Sequence, residues 1–247
     1  MLFDIEHIWV FMAILPIVAY LYSSVGHGGA SGYLALMALF SFAPEAMKPT
    51  ALLLNIFVAG IAFYHYYKAG HFNKKLFLSF ALASIPLAFI GGMIDVEATV
   101  YKKILGVLLV FAILKMFNVF GKESNVLKPM KIWQGLIVGG IIGFFSGLIG
   151  IGGGIILTPI ILLLHWGKMK EAAAVSALFI WVNSVAALIG QVSSGVEISK
   201  ATFLLAVIAF VGGYLGSYYG SKKYNNKSLR YLLAIVLIIA SVKLLIF

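Results

Sequence analysis

The sequence predicts an all-α polytopic membrane protein made of two inverted-topology repeats of five apolar segments, each repeat with a short or re-entrant helix after a glycine-rich break. Three observations predict it. The 247 residues are 62% hydrophobic and only 11% charged, with a mean hydropathy of +1.06, whereas a soluble domain is about a quarter charged. They divide into ten apolar runs, most of them close to the roughly 20 residues that cross a bilayer as helix. The second half also repeats the first. A shift of 124 lays Gly26, Gly28 and Gly29 on Gly150, Gly152 and Gly153, and a shift of 125 lays Gly70 on Gly195, Gly91 on Gly216 and Lys102 on Lys227.

The first repeat occupies residues 1–120, with runs at 8–25, 29–43, 49–67, 76–94 and 100–120. Its first run follows Asp4 and Glu6, where a signal peptide would be basic, so it is expected to be retained. A polar linker, GKESNVLKPMK at 121–131, leads to the second repeat at 132–247, with runs at 132–149, 152–166, 172–191, 200–220 and 229–247. The second run of each repeat has only about 15 residues, which is short for a span. Under ten alternating crossings, the linker side collects twelve of the 18 basic residues and the other side five, with Lys115 inside a run and expected to snorkel. Lysine gathers in cytoplasmic loops, so the linker is expected inside and both termini outside. The same count fits eight crossings plus two re-entrant hairpins. Five crossings per repeat is odd, so the second copy is inverted relative to the first. Inverted repeats with discontinuous helices recur in secondary transporters.

The breaks read YSSVGHGGASGY (22–33) and SGLIGIGGGIIL (146–157). Each glycine costs a helix interior about 1 kcal/mol relative to alanine. Close helix packing is one explanation. The other is functional: interrupted backbone at membrane depth survives only when buried in protein or lining a polar cavity. A glycine-rich turn entering a helix offers N–H groups and a positive dipole end to an anion. That matters in a chain whose one arginine is Arg230. A dinucleotide-binding reading of GIGGG fails on its flanks, which are membrane runs rather than strand and helix.

GLIGIGGGIILTPIILLL and its partner VGHGGASGYLALMAL resemble the paired signature of the sulfite exporter TauE/SafE family of membrane transporters, and the resemblance spans the whole chain. It implies transport of small sulfur-containing or organic anions, such as sulfite, sulfonates or thiosulfate. It also implies site residues Gly26, Gly28, Gly29, Gly150, Gly152, Gly153, Gly154 and Pro159. His27 and Ala30 stand where the family more usually has glycine, and Gly32-Tyr33 where a proline is expected.

Few other polar groups fall inside the runs. All eight acidic residues lie at or near run ends, leaving no mid-membrane carboxylate as proton relay. His27 sits within the first break, either hydrogen-bonding the opened backbone or titrating beside a substrate. Asn55 and Asn183, in the third run of each repeat, either pair helices or face the breaks as donors. Ser31 and Thr158 are further candidates for the substrate, with Ser23, Ser24 and Ser176 weaker ones. His65 and His165-Trp166 read as interfacial aromatic belts.

A carrier binding a small anionic substrate between the two breaks is the leading expectation. An anion-selective channel of inverted-repeat design is the alternative. FFSG around Ser146 lacks a placed base, which excludes a serine hydrolase. With no cysteine and no histidine–carboxylate cluster, neither metal nor cofactor is expected. The net charge of +10 reflects cytoplasmic lysines rather than a nucleic-acid partner. The partners are the lipid bilayer and the anion, with the coupling ion, a proton or another, and a homodimer left open. Reporter fusions after Phe247 and within the linker check the sidedness. An outside C-terminus with an inside linker is the expected result, and a cytoplasmic C-terminus would contradict the inverted repeat.

Overall fold

The computed structural model describes residues 7–116 and 127–222, together with four positions of the last run (238, 241, 242 and 245). Among the described residues there are nine helices and no strand. In order they are α1 (Ile8–Ser23), α2 (Ala30–Leu39), α3 (Pro44–Lys68), α4 (Lys74–Met93), α5 (Ala98–Met116), α6 (Ile132–Ile149), α7 (Gly154–Leu163), α8 (Met169–Ser193) and α9 (Lys200–Lys222). The first six linker residues, the Lys115 side chain, Arg230 and most of the tenth run lie outside the described residues.

The halves match in length: α1 and α6 have 16 and 18 residues, α2 and α7 have 10 each, α3 and α8 have 25 each, and α4 and α9 have 20 and 23. Ten residues of helix rise only about 15 Å, half a bilayer. The two short runs are therefore shorter still than the sequence suggests. The third run starts earlier than its hydropathy implies. Pro44 takes the first helical position, where its missing N–H is harmless, and Glu45 sits in the first turn. Lys48 thus belongs to α3 rather than to a loop. At the starts of α4 and α8, Asn73 Oδ1 accepts from Leu76 N–H and Glu171 Oε2 accepts from the Lys168 N–H. The Asn73 amide also donates to Glu171 Oε1, clasping the two starts together.

Five helices, α3, α4, α6, α8 and α9, are long and apolar enough to cross a membrane. α8 and α3 are the most buried of them, at 72% and 61% against 44–50% for the rest, and form the centre. Large apolar side chains such as Trp9, Leu82, Val107, Ile141, Val207 and Val211 stand exposed on the outer helices. A soluble monomer does not expose that much apolar surface, and here it is the lipid-facing belt of a multi-pass membrane protein.

Packing joins the halves to each other. α4 lies on α6, and α1 on α9, each pair meeting through glycines four apart. A β-carbon at Gly139, Gly143 or Gly147 of α6 would fall on the carbonyls of Phe80, Ser84 or Ala88 in α4. At Gly212, Gly216 or Gly220 of α9 it would fall on those of Pro16, Tyr20 or Ser24 in α1. Both residue numbers rise together, so each pair runs parallel. α3 and α8 run antiparallel: Asn55 meets Ser184, Gly60 meets Trp181, and Tyr66 clusters with Ala173. Backbone approach of this kind brings Cα–H···O contacts of about 0.5–1 kcal/mol each.

Gly139→Ala is expected to destabilise the protein by about 1–3 kcal/mol through overpacking. Gly140→Ala on the same turn meets only Leu87 and Ala83 side chains and is expected to be near neutral. Thermal unfolding in detergent compares the two. Equal midpoints would refute the backbone-contact account.

Candidate functional site

The breaks separate α1 from α2 and α6 from α7. Gly26 and Gly29 in the first, and Gly150, Gly152 and Gly153 in the second, have φ between +75° and +101°. That left-handed region is open to glycine at little cost, so the chain can reverse there at depth. Each short helix then starts from a left-handed glycine, Gly29 or Gly153.

Both breaks converge on the middle of α3 and α8. Asn55 Oδ1 accepts from the Ala30 N–H (3.1 Å), the first amide of α2. Its Nδ2 donates to Ile151 O (3.4 Å), inside the second break, and to Ser184 Oγ (3.3 Å). A β-carbon at Gly28 would press on Asn55 Oδ1 and Ile180, and one at Gly152 on Asn55 Nδ2 and Ile180. One amide and one isoleucine, equivalent under the 125-residue shift, therefore fill the space between the breaks. Gly154 also packs on Ile180.

His27 ties the first break to the second half. Its Nδ1–H donates to Val25 O (2.9 Å), and its Nε2 shares a hydrogen bond with Thr158 Oγ1 (3.3 Å) on α7. Thr158 Oγ1 also shares a hydrogen bond with Ser176 Oγ of α8 (2.8 Å). The ring thus bonds the opened backbone of its own break and reaches α7 of the other half. Ser31 Oγ donates to Tyr22 OH (2.9 Å) and stays within the first half. Pro159 lies inside α7, one residue beyond Thr158.

Asn183, unlike Asn55, bonds within its own helix. Its Nδ2 donates to Phe179 O within α8, and its Oδ1 is buried without a partner. It stands three residues from Ile180, the true equivalent of Asn55, and so is rotated by about 60° around the helix. His65, near the end of α3, is buried under α9, with Nδ1 2.8 Å from Ser217 Oγ and its ring edge-on to Tyr214 and Tyr218.

Several residues were not anticipated. Tyr33 OH is buried without a partner, and its ring lies against Gly29. Ser146 Oγ is likewise unpartnered, near Gly153, and holds no base. Ser184 completes the Asn55 network. Tyr66 OH donates to Ser24 O before the first break, and Tyr101 OH to Ile149 O before the second. Lys48 was concealed by a misplaced helix start, although the Pro44-Glu45 pair signals it.

Cavities open at opposite ends of the α3–α8 pair. One of about 350 Å³ is lined by Lys48, Asp95, Glu97, Tyr101, Leu148 and Gln191 among others. One of about 670 Å³ is lined by His71, Asn73, Lys74, Lys168, Lys170 and Glu171 among others. Gly150 packs against Lys48, and Gly26 against the equivalent Ala173.

The family model of the sulfite exporter TauE/SafE proteins matches residues 11–244. The chain belongs to that family. A probable membrane transporter protein of Sinorhizobium fredii is 37% identical over 235 residues, covering 93% of this chain and 94% of its own. Another, from Methanocaldococcus jannaschii, is 26% identical over 253 residues, covering 92% and 94%. No solved structure matches the chain significantly. This TauE/SafE protein is therefore a multi-pass membrane transporter whose matched region contains both glycine breaks.

Asn55→Ala leaves the Ala30 amide and the Ile151 carbonyl without their side-chain partner. An unpaired buried group costs about 1–3 kcal/mol, and one kcal/mol is worth about 2–4 °C of midpoint in a chain of this size. A midpoint lowered by several degrees in detergent is expected. An unchanged midpoint would show that the breaks do not depend on the shared amide.

Proposed function

We propose that this transporter is a secondary carrier of a small anion, sulfur-containing or organic, such as sulfite, a sulfonate or thiosulfate. The substrate binds at the two glycine breaks and crosses the cell membrane by alternate opening of the two cavities. The observation that carries this reading is the meeting of both breaks on Asn55 and Ile180, near the middle of the two most buried helices. Carriers built from repeats bind substrate at such a junction. Antiparallel α3 and α8, and the parallel pairs α4–α6 and α1–α9, support an inverted relation between residues 1–120 and 132–247. On this reading the larger, lysine-rich cavity and the linker face the cytoplasm, the smaller cavity faces out, and both termini lie outside.

The chemistry favours an anion held by neutral donors. Asn55 Nδ2, Ser31, Thr158, Tyr33 OH and Ser146 Oγ are hydrogen-bonding groups at or beside the breaks, and the starts of α2 and α7 add positive dipole ends. Neutral preorganised donors bind a small anion without the desolvation cost of a buried cation. As the helices stand, Asn55 fills this place itself, so binding requires Asn55 to exchange its backbone partners for the substrate. Alternation between two such closed arrangements favours a carrier over a channel, which needs a continuous path.

Ser31 and the equivalent Ile155 are both buried at the starts of the short helices, and the chain has no native cysteine. Ser31→Cys and Ile155→Cys are therefore expected to react slowly with small methanethiosulfonate reagents in proteoliposomes, and methanesulfonate or sulfoacetate is expected to slow both. Labelled sulfite, thiosulfate and methanesulfonate should show saturable uptake and counterflow. Non-saturating flux without counterflow would indicate the channel, and protection at one position only would place the substrate away from the paired breaks.

A further inference from the structure

We infer that Lys48 is a substrate-binding residue: its ammonium forms the floor of a loading site for a small monoanion in the 350 Å³ cavity, directly before the second glycine break. This rests on the proposed reading that the substrate is an anion passing the breaks.

Lys48 is a buried lysine in the first turns of α3, 9% exposed, and it lines this cavity. Its Nζ donates to Gly92 O (3.1 Å) and Ile94 O (3.2 Å) at the end of α4, which uses two of its three protons. Among the described residues it makes no ion pair at contact distance, and the carboxylate that acts on it at longer range is Asp95. Its stem and backbone rest on Gly150 of the break, while Nζ reaches the carbonyls that end α4.

Packing alone does not account for it. The equivalent residue in the other half is Ala173, which fills the same place against Gly26 with a single methyl group. An alanine there closes the contact without burying a charge, which is costly unless the charge has a use. Capping the α4 carbonyls is part of what Lys48 does. Gln191 lines the same cavity and is 3% exposed.

The surrounding charges set the valence. Glu45 lies on α3, and Asp95 and Glu97 lie on the α4–α5 loop; all three are exposed and line the rim. Rim carboxylates in water are screened over about 8–10 Å, whereas a buried ammonium acts at short range in a lower dielectric. A monoanion that reaches the floor gains more from Lys48 than it loses at the rim. A dianion meets twice the rim repulsion for the same single ammonium.

The test uses the full-length transporter in proteoliposomes, with methanesulfonate as monoanion and sulfate as competing dianion. Lys48→Gln is expected to raise the methanesulfonate KM at least about tenfold with Vmax within about threefold, and Lys48→Arg to restore part of the loss. Replacing the rim charges together (E45Q, D95N, E97Q) is expected to strengthen sulfate inhibition severalfold. The rim residues are exposed, so that arm is informative even if Lys48→Gln does not fold, which size-exclusion and thermal unfolding report. A folded Lys48→Gln protein with KM within twofold of wild type overturns the inference, as does a rim variant with unchanged sulfate inhibition. Wild-type liposomes that carry none of methanesulfonate, sulfite or thiosulfate overturn the anion reading itself and this inference with it.

Discussion

The amide of Asn55 hydrogen-bonds both glycine breaks, and the arrangement of the centre depends on it. Its oxygen holds the first N–H of α2 and its nitrogen holds a carbonyl of the second break. An amide is suited to this because it presents an acceptor and a donor on one planar end. A leucine would fill the volume but leave an amide and a carbonyl unpaired at membrane depth, where no water replaces the lost partner. A charged carboxylate would serve one break only. Ile180 supplies the matching volume from α8, without polarity, so the two equivalent positions divide the work.

That arrangement requires the long helices to be held close, and glycine does this in two parallel seams. Along α6 and α9 glycine recurs every fourth residue and admits the carbonyls of α4 and α1. Between lipid and protein there is little hydrophobic gain, so close backbone contact is the main source of association energy. Because each seam joins a helix of one half to a helix of the other, neither half has a complete interface of its own. Glycine therefore serves two purposes here: regular spacing within helices makes seams, and clustering between helices makes breaks.

Much of this was legible in the sequence, for identifiable reasons. The ten runs follow from hydropathy, and the nine described helices fall on nine of them. The breaks are legible because glycine at left-handed positions has few substitutes, and their equivalence because a fixed offset preserved it. The family resemblance in the same motif is borne out by the match over residues 11–244. What was not legible depends on rotation about helix axes. Asn55 and Asn183 look like a pair in the sequence, yet three residues of slippage turn one inward and the other onto its own helix. His65 reads as one of a run of aromatic residues, and the sequence does not tell that α9 covers it with Ser217. Lys48 was hidden for another reason: hydropathy marks where a run becomes apolar, not where a helix begins.

The two halves differ most where the repeat meets water, and the difference bears on mechanism. At the centre Asn55 faces Ile180 and the contacts are nearly interchangeable. At the ends, one cavity carries Lys74, Lys168 and Lys170 with Glu171, and the other Glu45, Asp95 and Glu97 around Lys48. On the proposed carrier reading, the repeat supplies two equivalent routes to one site, and the difference between loading at the two ends comes from substitutions at their rims. On the proposed reading, a basic rim gathers anions from its side through a field of freely solvated charges, which salt weakens. An acidic rim with a buried ammonium disfavours anions at a distance and accepts them at contact. The first arrangement governs how often an anion arrives; the second governs which anion is taken. Such asymmetry leaves the equilibrium of transport unchanged, since that is fixed by the gradients, but it sets different apparent affinities on the two faces of the membrane.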